Sequence, residues 1–323
     1  MQKIAVTKLI SELVQHGLSE QVAWWLLEKL FQKTKVALIL LSELSLSAQD
    51  QAQLASWVDQ IVQAHKPVQY ILGDVSFLGL QILVAPPILI PRPETEEWCA
   101  IVIKQLKADY TKTNYQKIIT NNRKISQIKP GFKILDLCAG TGCIGLALAQ
   151  ALPDSHVYAV DINPQACELI EKNKLTNQIN NLAVINFDLN KLNSNILSSS
   201  EFNTLHDSSA SSSSKFSNSN KVSGFDIITA NPPYITELEY SELASNVREW
   251  EDPIALVSGT DGLDLIRQII KLAVQIKIKI LYLEIGCLQA RAVILLAQAA
   301  GFKQIVTHCD MYGKDRMLEM RLI

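Results

Sequence analysis

The chain has 323 residues, of which 48% are hydrophobic and 19% charged, and its formal net charge is −2. That length and balance describe a globular protein able to bury a substantial core in one large or two modest domains. With 30 Lys+Arg against 32 Asp+Glu no whole-chain field pulls it onto nucleic acid, and the apolar run from Val36 to Leu41 is far too short to span a bilayer.

From the N-terminus, charges at Lys3, Lys8 and Glu12 and the lack of a long apolar core exclude a signal peptide, so the expected location is cytoplasmic. Apolar residues recur at helical spacing over Ile4 to His16, Glu20 to Gln32 and Ala48 to His65. Residues 1–67 are therefore read as a small helical domain. Its cluster of Trp24, Trp25, Leu27, Leu30 and Phe31 reads as bundle core, with a partner-docking face as the alternative. Residues 68–85 alternate around Gly73 and Gly79 and predict a β-hairpin linker. A larger α/β domain is expected over 86–323. Two polar stretches interrupt it. Asp109 to Lys129 reads as a loop or an irregular helix extension. Residues 190–224, with Ser211 to Ser214 in a row, read as a disordered loop.

Within the larger domain, Phe132 to Leu137 predicts a buried strand, followed by Cys138-Ala-Gly140-Thr141-Gly142 and an Ala/Leu-rich helical run to Leu152. Strand, glycine loop and helix place backbone N–H groups and a helix N-terminus against a ligand. Gly140, Gly142 and Gly145, with Asp161 further on, also spell the dinucleotide fingerprint, so a dehydrogenase competes. Asp136 argues against it. A carboxylate facing a pyrophosphate in a partly dry site costs on the order of several kcal/mol in the worst geometries. A ligand carrying an ammonium and a sulfonium suits it better, and S-adenosylmethionine is such a ligand. Asp161 closes the strand His156 to Val160 and is placed to take both ribose hydroxyls. Asn163-Pro164 opens the next helix. Asp188 is read as ending a third strand, Ala183 to Phe187, where it meets the adenine amino group. The expected cofactor contacts are Asp136, Cys138, Ala139, Gly140, Thr141, Gly142, Asp161, Asp188, Leu189 and Asn231.

Asn231-Pro232-Pro233-Tyr234 follows the apolar strand Phe225 to Ala230 directly, and its prolines end that strand because they cannot donate to a ladder. An amide side chain, fixed carbonyls and an aromatic ring at a strand tip suit the holding of a flat, weakly nucleophilic NH2 group. Asn231 and the Pro232 carbonyl accept its two hydrogens, and Tyr234 packs on the plane. The six cysteines show no C-x-x-C pair and the five histidines no metal-ligand spacing, so free thiols and no zinc are expected.

These motifs, together with Ile90-Pro-Arg-Pro-Glu-Thr-Glu96, Pro67-Val-Gln-Tyr-Ile-Leu-Gly73, Asp261-Gly-Leu-Asp-Leu-Ile-Arg267, Leu283-Glu-Ile-Gly286 and Asp310-Met-Tyr-Gly-Lys-Asp-Arg316, resemble the HemK/PrmC family over nearly the whole chain. The resemblance implies a Rossmann-like, seven-stranded S-adenosylmethionine-dependent methyltransferase domain behind a helical domain that docks class-1 peptide chain release factors. It implies methylation of the side-chain N5 of the glutamine in their Gly-Gly-Gln motif, with no direct nucleic-acid or membrane partner; nothing in the chain demands more than a monomer, which is the expected state. It also sets Arg92 and Glu94 beside the active site, with an interdomain salt bridge as the competing role. The usual Pro-Gly-Gly turn before the fifth strand is missing, since Val274 to Ile280 runs straight on. N6-adenine methylation of DNA or RNA shares the tetrapeptide and stays open, as does a non-catalytic cofactor-binding adaptor.

Overall fold

The computed structural model describes residues 2–121, 131–191 and 224–322. The chain forms two compact units. One comprises Met1–Val75, Val84–Pro87 and Leu243–Glu251, the other Ser76–Leu83, Ile88–Glu242 and Asp252–Ile323.

The first unit runs β1 (Gln2–Ala5), α1 (Val6–Gln15), α2 (Glu20–Phe31), α3 (Lys35–Leu41), β2 (Glu43–Leu46), α4 (Ala48–Val62) and α5 (Val68–Leu72). Val6, Leu9, Ile10 and Leu13 line one stripe of α1 and are buried. Ser19 and Thr34 cap α2 and α3, and Ser47 with Asp50 closes a reciprocal capping box on α4. Each such cap contributes about 1 kcal/mol. Trp24 and Leu27 belong to this core, whereas Trp25 stands 36% exposed outside it. Two features depart from the expected bundle. Val36 to Leu41 lies within a helix, and β1 pairs antiparallel with β2. The hairpin expected over 68–85 begins only at Asp74. Val68–Leu72 is a short helix ended by Gly73 at φ +86°, a left-handed cap that glycine adopts without steric cost. The segment Leu243–Glu251 joins this unit from far along the chain, with the Trp250 indole donating to the Ala64 carbonyl at 2.7 Å.

β3 (Asp74–Phe77) and β4 (Leu80–Leu83) form the hairpin. α6 runs Pro93–Asn121, so of the two readings for the polar stretch from Asp109 the helix extension is the one found, while 122–130 lies outside the described residues. The sheet follows with β5 (Lys133–Leu137), α7 (Cys143–Ala151), β6 (His156–Asp161), α8 (Pro164–Thr176), β7 (Leu182–Asn186), β8 (Ile227–Ala230), β9 (Ile280–Glu284), β10 (Gln304–Cys309) and β11 (Asp315–Arg321). These seven strands lie in the order β10-β11-β9-β8-β5-β6-β7. β5 pairs in parallel with β6 and β8, β6 with β7, and β8 with β9, while β11 is antiparallel to both β9 and β10. The central strands are buried almost throughout, as strands covered on both faces must be. Leu135, Ile228, Leu281 and Leu283 join Ile266, Ile270 and Val293 of the flanking helices in one core.

β7 stops at Asn186, so Asp188 lies in the following turn rather than at the strand end. Residues 192–223, most of the expected Ser/Asn loop, lie outside the described residues. Before β9 the chain does not run straight on. Lys277 takes φ +56° and the Ile278 N–H closes onto the Ala273 carbonyl at 2.9 Å, making the turn without glycine. Among the described residues no helix is long and apolar enough to cross a membrane.

Candidate active site

In this sheet the chain leaves β5 toward β7 on one side and returns to β8 on the other, so the order reverses between β5 and β8. Ligands bind at such a switch point, outside the carboxyl ends of the strands. The glycine loop follows β5 and Asn231-Pro-Pro-Tyr234 follows β8 there. Register sets the neighbours: Leu137 pairs with Ala230, and Ala230 with Leu283, so the residues just past β5 and β8 begin side by side and Asn231 follows level with Glu284, the last residue of β9.

The glycine loop is tightly held. Cys138 sits at φ +56°, a left-handed conformation that costs a non-glycine residue about 1 kcal/mol or more. The next two N–H groups hold it there, Ala139 to the Val160 carbonyl at 3.1 Å and Gly140 to Asp161 Oδ2 at 2.8 Å. Asp161 Oδ1 accepts from the Asn163 N–H at 2.9 Å. Asn173, fully buried on α8, donates to the Thr141 carbonyl at 2.9 Å and bridges both backbone groups of Leu83, with distances of 2.6 and 3.1 Å. It anchors the loop from below, and sequence reasoning missed it. No atom lies within 4 Å of where a Cβ on Gly140 would stand, whereas one on Gly142 would meet Ile170 at 2.9 Å. The loop is therefore packed on one side and open on the other.

Asp136 differs from expectation. It is fully buried, with Oδ2 accepting from the Gly145 N–H at 2.9 Å and Oδ1 from the Thr229 hydroxyl at 2.8 Å. The carboxylate lies under the first turn of α7 rather than facing the open loop, and a Cβ on Gly145 would press on it at 2.9 Å. Direct contact with a pyrophosphate is thus not what argues against a dinucleotide. Charge disfavours a dinucleotide instead. Burial pushes Asp136 up to about 7, with the Asp161 charge adding to the rise, and burial raises Asp161 as well. A site with two such carboxylates disfavours an anion and welcomes a cation.

That shift carries a stability consequence. Unfolded Asp136 ionises near its ordinary 3.8 and folded Asp136 near 7. As pH rises from about 4 to 7 the unfolded chain loses its proton first, and stability falls. Asp136→Asn keeps one acceptor and one donor for Gly145 and Thr229 and removes this fall. Urea unfolding is expected to show the variant gaining on the wild type through that window, by a few kcal/mol at pH 8. Parallel pH profiles for the two proteins would contradict the buried, late-titrating carboxyl.

At the tip of β8, Pro232 and Pro233 are buried, and Asn231 and Tyr234 half-buried. Asn231 Nδ2 donates to the Thr95 hydroxyl at 3.2 Å. Thr95 in turn donates to Glu284 Oε2 at 2.7 Å, which also accepts from the Trp98 indole at 2.7 Å. The Tyr234 hydroxyl reaches Glu284 Oε1 at 3.3 Å. Glu284 is 2% exposed; burial raises its pKa, while the bonds from Trp98 and Thr95 and the charge of Arg316 oppose the rise. Burial also pushes the Tyr234 phenol up, and Glu284 adds to this. The Tyr234 carbonyl is held by Gln289 Nε2 at 2.9 Å. Among the described residues, Asn231 Oδ1 and the Pro232 carbonyl accept no hydrogen bond from the protein.

The Ile90-to-Glu96 segment thus bonds to Asn231 through Thr95, a residue not singled out from sequence. Arg92 bears on Tyr234 as a nearby positive charge, its carbonyl accepts from the Thr95 and Glu96 N–H groups at 3.1 and 3.2 Å, and Glu94 starts α6 as one of its first-turn acids. Glu284 was also missed. Its signal was present, an acidic residue closing a wholly apolar strand. Asp188 accepts from the Asn190 N–H at 2.9 Å with Lys191 at 3.9 Å, and Leu189 begins the short 3-10 turn beside it. Cys143 is buried and Cys138 half-buried, both as free thiols.

Comparisons with known proteins bear on the family and the fold. A family model described as the PrmC N-terminal domain matches residues 5–73, and one described as a methyltransferase domain matches 128–240. A protein of Flavobacterium psychrophilum named release factor glutamine methyltransferase is 33% identical over 306 residues, 93% of this chain and 91% of that protein. Proteins of the same name from Thermodesulfovibrio yellowstonii and Streptococcus pneumoniae are 33% and 31% identical, over 78% and 84% of this chain and 75% and 81% of their own. Among solved structures, the hMettl16 catalytic domain in complex with MAT2A 3'UTR hairpin 6 superposes with a TM-score of 0.50 at 12% identity, over 86% of this chain and 83% of that one. A likeness that distant speaks for the methyltransferase fold alone.

Proposed function

The chain belongs to the release factor glutamine methyltransferase family, and we propose that it methylates the side-chain N5 of the glutamine in the Gly-Gly-Gln motif of class-1 peptide chain release factors, with S-adenosylmethionine as methyl donor. The observation that carries this reading is the tip of β8. There Asn231 Oδ1 and the Pro232 carbonyl are two open acceptors, set beside the glycine loop at the switch point.

The donor's charge suits the site. Gly140 leaves room for close approach, and Asp161 keeps lone pairs beyond its two N–H bonds for vicinal hydroxyls. The loop Cys138, Ala139, Gly140, Thr141, Gly142 would hold it with Asp161, Asp188, Leu189 and Asn231, and the negative potential of Asp136 favours a cation over a pyrophosphate.

The chemical difficulty is that an amide nitrogen shares its lone pair with its carbonyl. Asn231 and Pro232 accept both amide hydrogens, which fixes the nitrogen and favours the geometry in which its lone pair is free. They also oppose the positive charge that grows on nitrogen. Tyr234, its hydroxyl tied to Glu284, packs its ring on the amide plane and admits only flat groups. Positioning of this kind supplies up to roughly 7–11 kcal/mol in well-oriented systems. Bound there, S-adenosylmethionine would supply the methyl, the C–S electron pair remaining on sulfur, and the methylated nitrogen would give its proton to water. No strong base is required, because nitrogen becomes acidic as it is methylated.

The helical unit is proposed to dock the release factor, and every group invoked comes from a single copy, in keeping with a monomer. A substrate from the translation machinery sets the reaction in the cytoplasm. Mass spectrometry of a class-1 release factor incubated with the protein and S-adenosylmethionine should show one added methyl on the Gly-Gly-Gln peptide. Transfer to adenine in nucleic acid instead would overturn the substrate assignment, and no transfer to either would leave only cofactor binding.

A further inference from the structure

We propose that Thr95 and Glu284 are positioning residues that decide which end of the Asn231 amide meets the substrate. An asparagine side chain fills nearly the same space either way round, so shape does not choose between oxygen and NH2 facing outward; hydrogen bonds choose. The reaction tolerates only one answer. Outward oxygen accepts a hydrogen of the substrate amide, while outward NH2 would set donor against donor.

The choice is made two bonds away. Glu284 is buried behind Asn231, at the end of the neighbouring strand, and its carboxylate only accepts. Oε2 takes the Thr95 hydroxyl hydrogen at 2.7 Å and the Trp98 N–H at 2.7 Å; Oε1 takes Tyr234 at 3.3 Å. A hydroxyl has one hydrogen. With that hydrogen committed to Glu284, Thr95 Oγ1 presents only lone pairs to Asn231, at 3.2 Å. Only the NH2 end of Asn231 can face lone pairs, so Oδ1 turns outward. The same buried acid also holds the hydroxyl of Tyr234, and both substrate-contacting side chains of the tetrapeptide hang on it. Thr95, 2% exposed, lies behind Asn231 and works through it.

The test uses the full chain and two variants, Thr95→Val, of nearly equal volume, and Thr95→Ser, which keeps the hydroxyl. The first measurement needs no activity: the Asn231 side-chain NH2 resonance in 15N-labelled protein, identified by its absence in Asn231→Ala. Wild type and Thr95→Ser should share its position and exchange protection, and Thr95→Val should lose both. The second is methyl transfer to a release factor. Thr95→Val should lower kcat about tenfold or more, with KM for both substrates within about threefold of wild type, and Thr95→Ser should restore it. An unchanged amide signal in Thr95→Val overturns the proposal. So does a shifted signal with wild-type kcat, or a Thr95→Ser variant as slow as Thr95→Val, which would assign the residue to packing. The kinetic arm rests on the methyl-transfer reading above. If wild type fails to methylate any release factor, that reading falls while the amide signal still decides the orientation.

Discussion

Asn231→Ala is expected to lower turnover by on the order of 10²–10³, the loss seen when one preorganised group aimed at developing charge is removed, while leaving S-adenosylmethionine binding close to wild type. The asymmetry follows from where the side chain sits. It contributes one open acceptor, Oδ1, and one bond to Thr95. The glycine loop is held independently of it by Asp161, Val160 and Asn173. Losing Oδ1 leaves one hydrogen of the substrate amide without an acceptor and lets the nitrogen rotate out of line. Calorimetry of cofactor binding beside single-turnover methylation separates the two effects. Wild-type turnover in this variant would remove Asn231 from the mechanism, and a large loss of cofactor affinity would make cofactor binding, one contact among several here, its main role.

Gly262→Ala is expected to damage the same tip from a distance. Gly262 sits at φ +71°, and a Cβ there would stand 2.2 Å from the Tyr234 carbonyl oxygen and 2.7 Å from Gln289 Nε2. The left-handed conformation alone costs alanine about 1–2 kcal/mol. The carbonyl is backbone, following two prolines, and has little freedom to retreat. To make room, Tyr234 must shift and its 2.9 Å bond from Gln289 must break. A chain of this size loses roughly 2–4 °C in Tm per kcal/mol, so a fall of several degrees should accompany at least about a tenfold loss of kcat. Thermal unfolding and methylation measured on one preparation check both. A variant with unchanged Tm and rate would show that the tetrapeptide tolerates movement.

Much of this was legible in the chain itself. Alternating strand and helix patterns with a glycine loop point to a doubly wound sheet, because each element's period shows which faces it must bury. Asn231-Pro-Pro-Tyr234 is local chemistry: prolines end a strand, and whatever follows stands at its tip. The free thiols and the helical lead were equally plain. Asp188 was read one residue too close to its strand, since Phe187, apolar and donating its N–H to the Asp161 carbonyl at 2.9 Å, extends the pattern beyond the last paired residue, Asn186. Helix α5 was mistaken for strand because five residues are too few to display a 3.6-residue period.

The set of elements and the groups at their ends are therefore written in the chain, since they follow from local sterics and from hydrophobic periodicity. What those groups do to one another comes from the folded arrangement. Asp136 could be read from sequence as a strand-end acid facing a ligand. It is instead sealed under α7, because glycine at 145 lets the helix settle onto it. Thr95 and Glu284 are separated by 189 residues along the chain and 2.7 Å in space. The bond between them depends on strand order and on where α6 crosses the sheet, and such pairings leave no periodic trace in a single chain. Hydrogen-bond direction, and with it the orientation of Asn231, is set by that crossing.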